Sequence, residues 1–335
     1  MHASGSTCDA RARRRPLAVT VALAAALCAL CAFGAVSAFA TPGEITYYGG
    51  APYQDPFLEY DHLITAGNDG NMWFAEVDGI GKASTSGVIT PVKSLTEQPI
   101  ALAADPAKEA IWYVTEDGTA GRLKSNGGLT TFGGRRRDVA RGETYVWFTR
   151  PEEHKVEYDT EVGGIPAGKP CAVAGEPVEV AVAGGYTYAT EPAGEHPKIA
   201  KVWVTGTKFA ETTCHVTEYA LDPAEGEPTT ITNGPEGKAW FAMKHGDVLG
   251  SIDSSGTVTY HALPSNIGPT TLAYGAAGRL WFNDGGMSFF GSMDATGATS
   301  LYWRESFLPT AFAPGPDGKM WFTDEHRGVG KFTVE

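Results

Sequence analysis

The sequence predicts an all-β seven-bladed β-propeller with four-stranded blades, its N-terminal strand closing the last blade, preceded by a signal peptide. Three observations predict it: a Trp-Phe dipeptide that recurs about every 40 residues, a repeated grammar of short strands and Gly turns, and chain ends that complement each other.

The N-terminal segment is read first because it stands outside the repeat. Arg11, Arg13, Arg14 and Arg15 precede an uncharged apolar run, Leu17 to Ala40. Small residues close it at Ser37-Ala38-Phe39-Ala40, an A-x-A-like cleavage site before Thr41. This is the layout of a secretory signal peptide over residues 1–40, and the same run is long enough to remain as an uncleaved membrane anchor. The expected product is secreted or anchored to the cell envelope, touching the membrane only through this segment.

Residues 41–335 form the expected propeller domain. Losing four arginines and one aspartate with the first 40 residues takes the net charge from −13 to −16. So acidic a surface argues against nucleic acid, whose phosphates need a basic footprint. Two cysteines, Cys171 and Cys214, remain after the segment is removed. In an exported chain they are either bridged or two buried thiols.

The repeat runs through Trp73-Phe74, Trp112-Tyr113, Trp147-Phe148, a degenerate Tyr188, Trp240-Phe241, Trp281-Phe282 and Trp321-Phe322, at intervals of 39, 35, 41, 52, 41 and 40 residues. Periods near 40 are those of propeller blades. In the first copy, Ile64-Thr65-Ala66 leads to the turn Asn68-Asp69-Gly70-Asn71. Then come Met72–Glu76, Ile80–Ala83, a Ser-Gly turn and Val88-Ile89-Thr90. That is four short strands joined by tight turns. The last copy stops after its third strand at Gly330–Val334, and Gly43-Glu44-Ile45-Thr46 supplies the missing fourth. Such closure limits unpaired sheet edges. The long fourth interval places a longer loop or extended hairpin around Lys198–Thr213.

In a four-stranded blade the start of strand one and the end of strand two meet at one rim, beside the central channel. The residues at the end of strand two are Glu76, Thr115 (followed by Glu116), Arg150, Glu191, Met243, Asp284 and Asp324. Several acids on one rim either pair with the arginines of blade three, Arg135, Arg136, Arg137 and Arg141, or hold a cation. Glu76, Asp284 and Asp324 are the metal-ligand candidates. Histidines are few: His62 stands at the channel end of strand one, while His245 and His326 follow their Trp by five residues. His62, Glu325 and His326 are the acid–base candidates, since an imidazole beside carboxylates suits proton transfer near neutral pH.

The pattern of turn, Trp-Phe-Ala/Thr-Glu/Asp and Ile/Val-Gly-Lys resembles the virginiamycin B lyase (streptogramin lyase) family over essentially all of residues 41–335. Its instances include Trp73-Phe74-Ala75-Glu76 with Gly79-Ile80-Gly81-Lys82, and Trp321-Phe322-Thr323-Asp324 with Gly328-Val329-Gly330-Lys331. The resemblance implies a magnesium-assisted elimination that opens a cyclic depsipeptide at its ester bond. The family carries histidines in Pro-His-x-Ile segments and a glutamate after the last Trp-Phe pair. His62, in Asp61-His62-Leu63-Ile64, and Glu325 occupy such positions. Thr229, Thr270 and Thr310 stand where further histidines would be, and threonine is no general base of comparable strength.

Two functions follow: a carbon–oxygen lyase on a cyclic depsipeptide or related ester, with Mg2+ as cofactor, or a non-catalytic propeller that binds a peptide, glycan or envelope partner. In both the ligand is a small molecule or peptide at the channel face, and the protein acts as a monomer. A lactonase-like six-bladed ring fits poorly with seven countable repeats.

Overall fold

A computed structural model describes residues 43–50, 60, 62–160, 168–194, 196–264, 267–284, 289–303, 305 and 307–333. The expected signal segment, 1–40, lies outside them, as does Asp61. Among the described residues no helix is long and apolar enough to cross a membrane.

Seven antiparallel sheets of four strands follow one another. Blade 1 comprises Ile64–Ala66, Met72–Glu76, Gly79–Ala83 and Ile89–Ser94. Blade 2 runs through Pro99–Asp105, Ala110–Thr115, Ala120–Lys124 and Leu129–Phe132. Blade 3 holds Val139–Arg141, Val146–Arg150, Lys155–Asp159 and Lys169–Ala172, and blade 4 holds Val180–Ala183, Tyr186–Glu191, Lys198–Thr205 and Thr213–Ala220. Blades 5 and 6 begin at Glu227–Asn233 and Pro269–Gly275. Blade 7 takes Pro309–Pro314, Met320–Asp324 and Gly328–Phe332, and its outermost strand is the N-terminal Ile45–Gly49, antiparallel to Gly328–Phe332. The first strand of each blade packs against the first strand of the next, and blade 7 against blade 1, so the ring is closed. The expected fold and its closure by the N-terminal strand are what the structure has.

The Trp-Phe pairs alternate across each sheet and fill the space between blades. Phe74, Trp112, Phe241, Phe282, Trp321 and Phe322 are all fully buried. The turn before the Trp has its own role. In blade 1 the Trp73 indole N–H donates to Asp69 Oδ1 (2.9 Å) and Lys82 Nζ reaches Oδ2 (3.3 Å). Blade 7 repeats the arrangement with Trp321, Asp317 and Lys331, both distances being 2.9 Å. Each ammonium also lies over its indole, at 5.4 and 4.9 Å from the ring centroid, so one Asp satisfies a buried donor and anchors a cation on the aromatic face. Tyr188, the degenerate copy in blade 4, is as buried as the tryptophans.

The extra length of blade 4 is an extended hairpin: Lys198–Thr205 and Thr213–Ala220 are eight-residue strands paired along their whole length. Its outer strand carries Cys214, which is disulfide-bonded to Cys171 on the outer strand of blade 3 (Cα–Cα 5.8 Å). Of the two readings open for these cysteines, the structure takes the bridge. With 43 residues between the partners, the chain-entropy model gives the crosslink about 4 kcal/mol.

Candidate functional site

Each blade carries two residues around the start of its first strand, just ahead of a common ladder position. In blades 2, 6 and 7 the outer of the two is the extra residue of a β-bulge. The register skips from Pro99 to Ala101, from Pro269 to Thr271 and from Pro309 to Ala311. Pro lacks a ladder N–H, which suits it to the start of a strand, and the bulge turns the following side chain off the sheet. Ile64, Leu102, Val139, Val180, Ile231, Leu272 and Phe312 pair with the aromatic strand at equivalent points. Relative to these anchors, the outer rim positions hold His62, Ile100, Arg137, Val178, Thr229, Thr270 and Thr310. The inner ones hold Leu63, Ala101, Asp138, Glu179, Thr230, Thr271 and Ala311.

Three of these meet. His62 Nδ1 lies 2.8 Å from Asp138 Oδ1, across blade 2, whose small Ala101 leaves room between them. Asp138 Oδ2 accepts the main-chain N–H of Val180 in blade 4 (2.7 Å), and its own N–H donates to Thr149 Oγ1 (3.0 Å). Glu179 repeats the device one blade on, with Oε2 accepting from Ile231 N at 3.3 Å. Each acid therefore ties its blade to the next and points its carboxyl at the axis. One ligand-capable atom from each of His62, Asp138 and Glu179 lies within 4.8 Å of the other two. Asp138 and Glu179 are buried, while the His62 side chain is 23% exposed. Burial first, and then the Asp138 charge, push the Glu179 carboxyl up to about 7, against the opposing pull of His62 and Arg137.

A cleft of about 620 Å³ opens beside the cluster, lined by Tyr60, Ile100, Arg137 and Val178 among others. The Arg137 guanidinium lies 5.1 Å from the Tyr60 ring centroid. Arg137 thus faces the cleft and acts electrostatically on Glu179.

The other sequence candidates are placed differently. Asp324 is fully buried, and its carboxylate is taken up by main chain: Oδ2 by Leu308 N (2.9 Å), Oδ1 by His326 N and Arg327 N (3.0 Å each). Asp284 accepts from the Gly268 N–H, and burial first, then the Asp247 charge, raise its pKa. These two acids tie the end of strand two to the segment before strand one. Glu325 and His326 are neighbours, with Oε1 to Nδ1 at 3.8 Å and side chains 18% and 61% exposed. Glu76 is half-buried at the end of its strand. Among the described residues Glu76, Asp284 and Asp324 do not come together as a cation-sized group; His62, Asp138 and Glu179 do. Glu76, Asp284 and Asp324 stand in three separate blades, 1, 6 and 7.

The arginines of blade 3 pair within their own neighbourhood. Arg136 bonds Glu157, Arg150 bonds Glu153 and Glu157, Arg135 reaches Glu152 at 2.7 Å, and Arg141 Nε meets Asp105 at 3.0 Å. Sequence reasoning named His62 but passed over Asp138 and Glu179. Their signal was a charge in Arg137-Asp138-Val139 and Val178-Glu179-Val180, at the step where other blades carry Leu, Ala or Thr.

The model of the virginiamycin B lyase family matches residues 200–335. No curated protein matches the chain in sequence. Among solved structures, a streptogramin B lyase superposes with a TM-score of 0.73 at 20% identity, covering 88% of this chain and 98% of that one. The virginiamycin B lyase of Staphylococcus aureus gives 0.70 at 19% identity, covering 87% of this chain and all of that one. A catalytically inactive variant of the S. aureus enzyme with quinupristin gives 0.69 at 19% identity over the same shares. At such identities the superpositions speak for the fold. The chain is a seven-bladed propeller similar in fold to these lyases, and its residues 200–335 match the family model.

Proposed function

We propose that the protein is an exported carbon–oxygen lyase that opens a cyclic depsipeptide or related ester at the channel mouth, with His62 as its base. The observation that carries this reading is the 2.8 Å pairing of His62 Nδ1 with the buried Asp138 carboxylate. A carboxylate only accepts, so Nδ1 holds the proton and Nε2 is the basic nitrogen. Asp138, itself fixed by Val180 N, sets the imidazole's orientation and stabilises the imidazolium that forms.

In the elimination, Nε2 takes the proton from the carbon α to an amide carbonyl, and the ester oxygen leaves from the adjacent β carbon. The electron pair becomes a C=C bond, and the C–O ester bond breaks with its electrons on the departing carboxylate. No water is added. Glu179, whose pKa burial raises, stands beside the pair, and Arg137 lines the adjoining cleft with the carboxylates Glu116, Asp117, Glu152 and Glu176. The disulfide favours export, since such bonds persist in oxidising compartments.

The test is mass spectrometry of a type B streptogramin after incubation with residues 41–335, with and without magnesium. The reading expects a product of unchanged mass with altered retention and fragmentation, lost in His62→Ala. A gain of one water would indicate hydrolysis, and an untouched substrate would leave the ester-lyase reading without support and favour a binding propeller.

A further inference from the structure

We infer that His62, Asp138 and Glu179 form a binding site for a divalent transition-metal ion such as Zn2+, Co2+ or Mn2+. The proposal rests on the donors alone and would stand if the lyase reading fell.

The donor atoms come from three different blades, yet all lie within 4.8 Å of one another. Metal–N and metal–O bonds of about 2.0–2.2 Å put tetrahedral ligands of one ion roughly 3.3–3.6 Å apart, so the site closes around an ion with a shift of about an ångström or slightly more. The carboxylates are held for the purpose. One oxygen of Asp138 takes Val180 N and one of Glu179 takes Ile231 N, a main-chain second layer of the kind that orients metal ligands. Both acids are at least nine-tenths buried, where two carboxylates side by side are costly without a compensating cation. Arg137 supplies part of that compensation in the metal-free protein, and its charge opposes very tight binding of a dication.

The donor set selects the class of ion. One imidazole with two carboxylates suits Zn2+, Co2+ and Mn2+, whereas Mg2+ and Ca2+ favour oxygen alone. With three protein ligands, at least one position is left for water or a ligand oxygen. A cation on Nδ1 displaces the proton that His62 gives to Asp138, so occupancy and the base role exclude each other. A metal-loaded protein should therefore turn over an ester more slowly by the His62 route.

The experiment titrates residues 41–335 with Co2+, followed by visible absorption, and with Zn2+ by equilibrium dialysis. One equivalent is expected to bind, with Zn2+ displacing Co2+. His62→Ala and Glu179→Gln should each weaken binding at least about tenfold, while Glu325→Gln leaves it unchanged. If Glu179→Gln does not fold, as judged by circular dichroism, the half-exposed His62→Ala decides. No saturable binding, or binding equal to wild type in His62→Ala, overturns the proposal. Zinc binding in a protein that leaves the streptogramin untouched would uphold the site and remove only the lyase reading.

Discussion

Two arcs of one rim are built on the same backbone and have opposite chemistry. Blades 1, 3 and 4 place His62, Asp138 and Glu179 at the positions before strand one; blades 5, 6 and 7 place Thr229, Thr230, Thr270, Thr271, Thr310 and Ala311 there. The threonines serve the scaffold. Thr310 Oγ1 bonds Thr323 Oγ1 at 2.7 Å and Thr270 Oγ1 bonds Asn283 at 3.1 Å, while Thr271 Oγ1 meets Thr310 O at 3.5 Å. Of these, only the Thr271 bond crosses between blades, whereas the carboxylates of the charged arc each bond the next blade's main chain, and an imidazole joins them. A propeller rim thus has several equivalent sockets, and the socket geometry does not decide which of them carries chemistry.

The largest expected effect breaks the charged arc. His62→Ala should lower kcat for ester elimination by roughly 10²–10⁴, the usual worth of a positioned base, with the fold intact by circular dichroism. Asp138→Asn keeps the shape but removes the charge, and with its amide oxygen held by Val180 N it turns an NH2 donor toward Nδ1, favouring the wrong tautomer. A fall in kcat of about tenfold or more is expected, together with a displaced pH–rate profile, which a purely structural change would not produce.

Stability sharpens the contrast at the end of strand two. Glu191 at the end of strand two in blade 4 is pushed up to about 7, first by burial and then by the Glu218 charge, with Lys198 opposing. Its folded pKa exceeds the ordinary 4.5, so the folded state holds the proton more tightly. Its contribution is present below about 4.5 and is lost as pH rises through 7. Glu191→Gln should flatten that decline and stabilise the protein at pH 8 by on the order of 1–3 kcal/mol, read from urea unfolding at pH 5 and pH 8. Smallest is the effect in the threonine arc. Thr229 is buried and its hydroxyl has no hydrogen-bond partner. Thr229→Val should therefore be neutral or stabilising by up to about 1 kcal/mol, and should leave turnover unchanged.

Most of the fold was legible because it is written in a repeat. Trp-Phe pairs, Gly turns and the split last blade are local patterns, and each says the same thing. The site was legible only at His62. Asp138 and Glu179 stand in the two blades whose sequences depart most from the repeat: blade 3 begins in an arginine run, and blade 4 has Tyr188 for Trp. Aligning their first strands takes the pairing of Val139 with Phe148 and of Val180 with Ala189, which is a three-dimensional fact. Asp324 and Asp284 show the same dependence on three dimensions. A carboxylate at the end of strand two reads as a rim acid until its main-chain donors are seen. The cysteine pair was likewise undecided until blades 3 and 4 were set side by side.

The most direct measurement is the initial rate of isomeric product formation from a type B streptogramin by wild type, His62→Ala and Thr310→Ala, assayed together. The charged arc as the seat of chemistry predicts near-complete loss in His62→Ala and a rate within about twofold of wild type in Thr310→Ala. Full activity in His62→Ala with loss in Thr310→Ala would contradict it, and would move the site to the threonine arc.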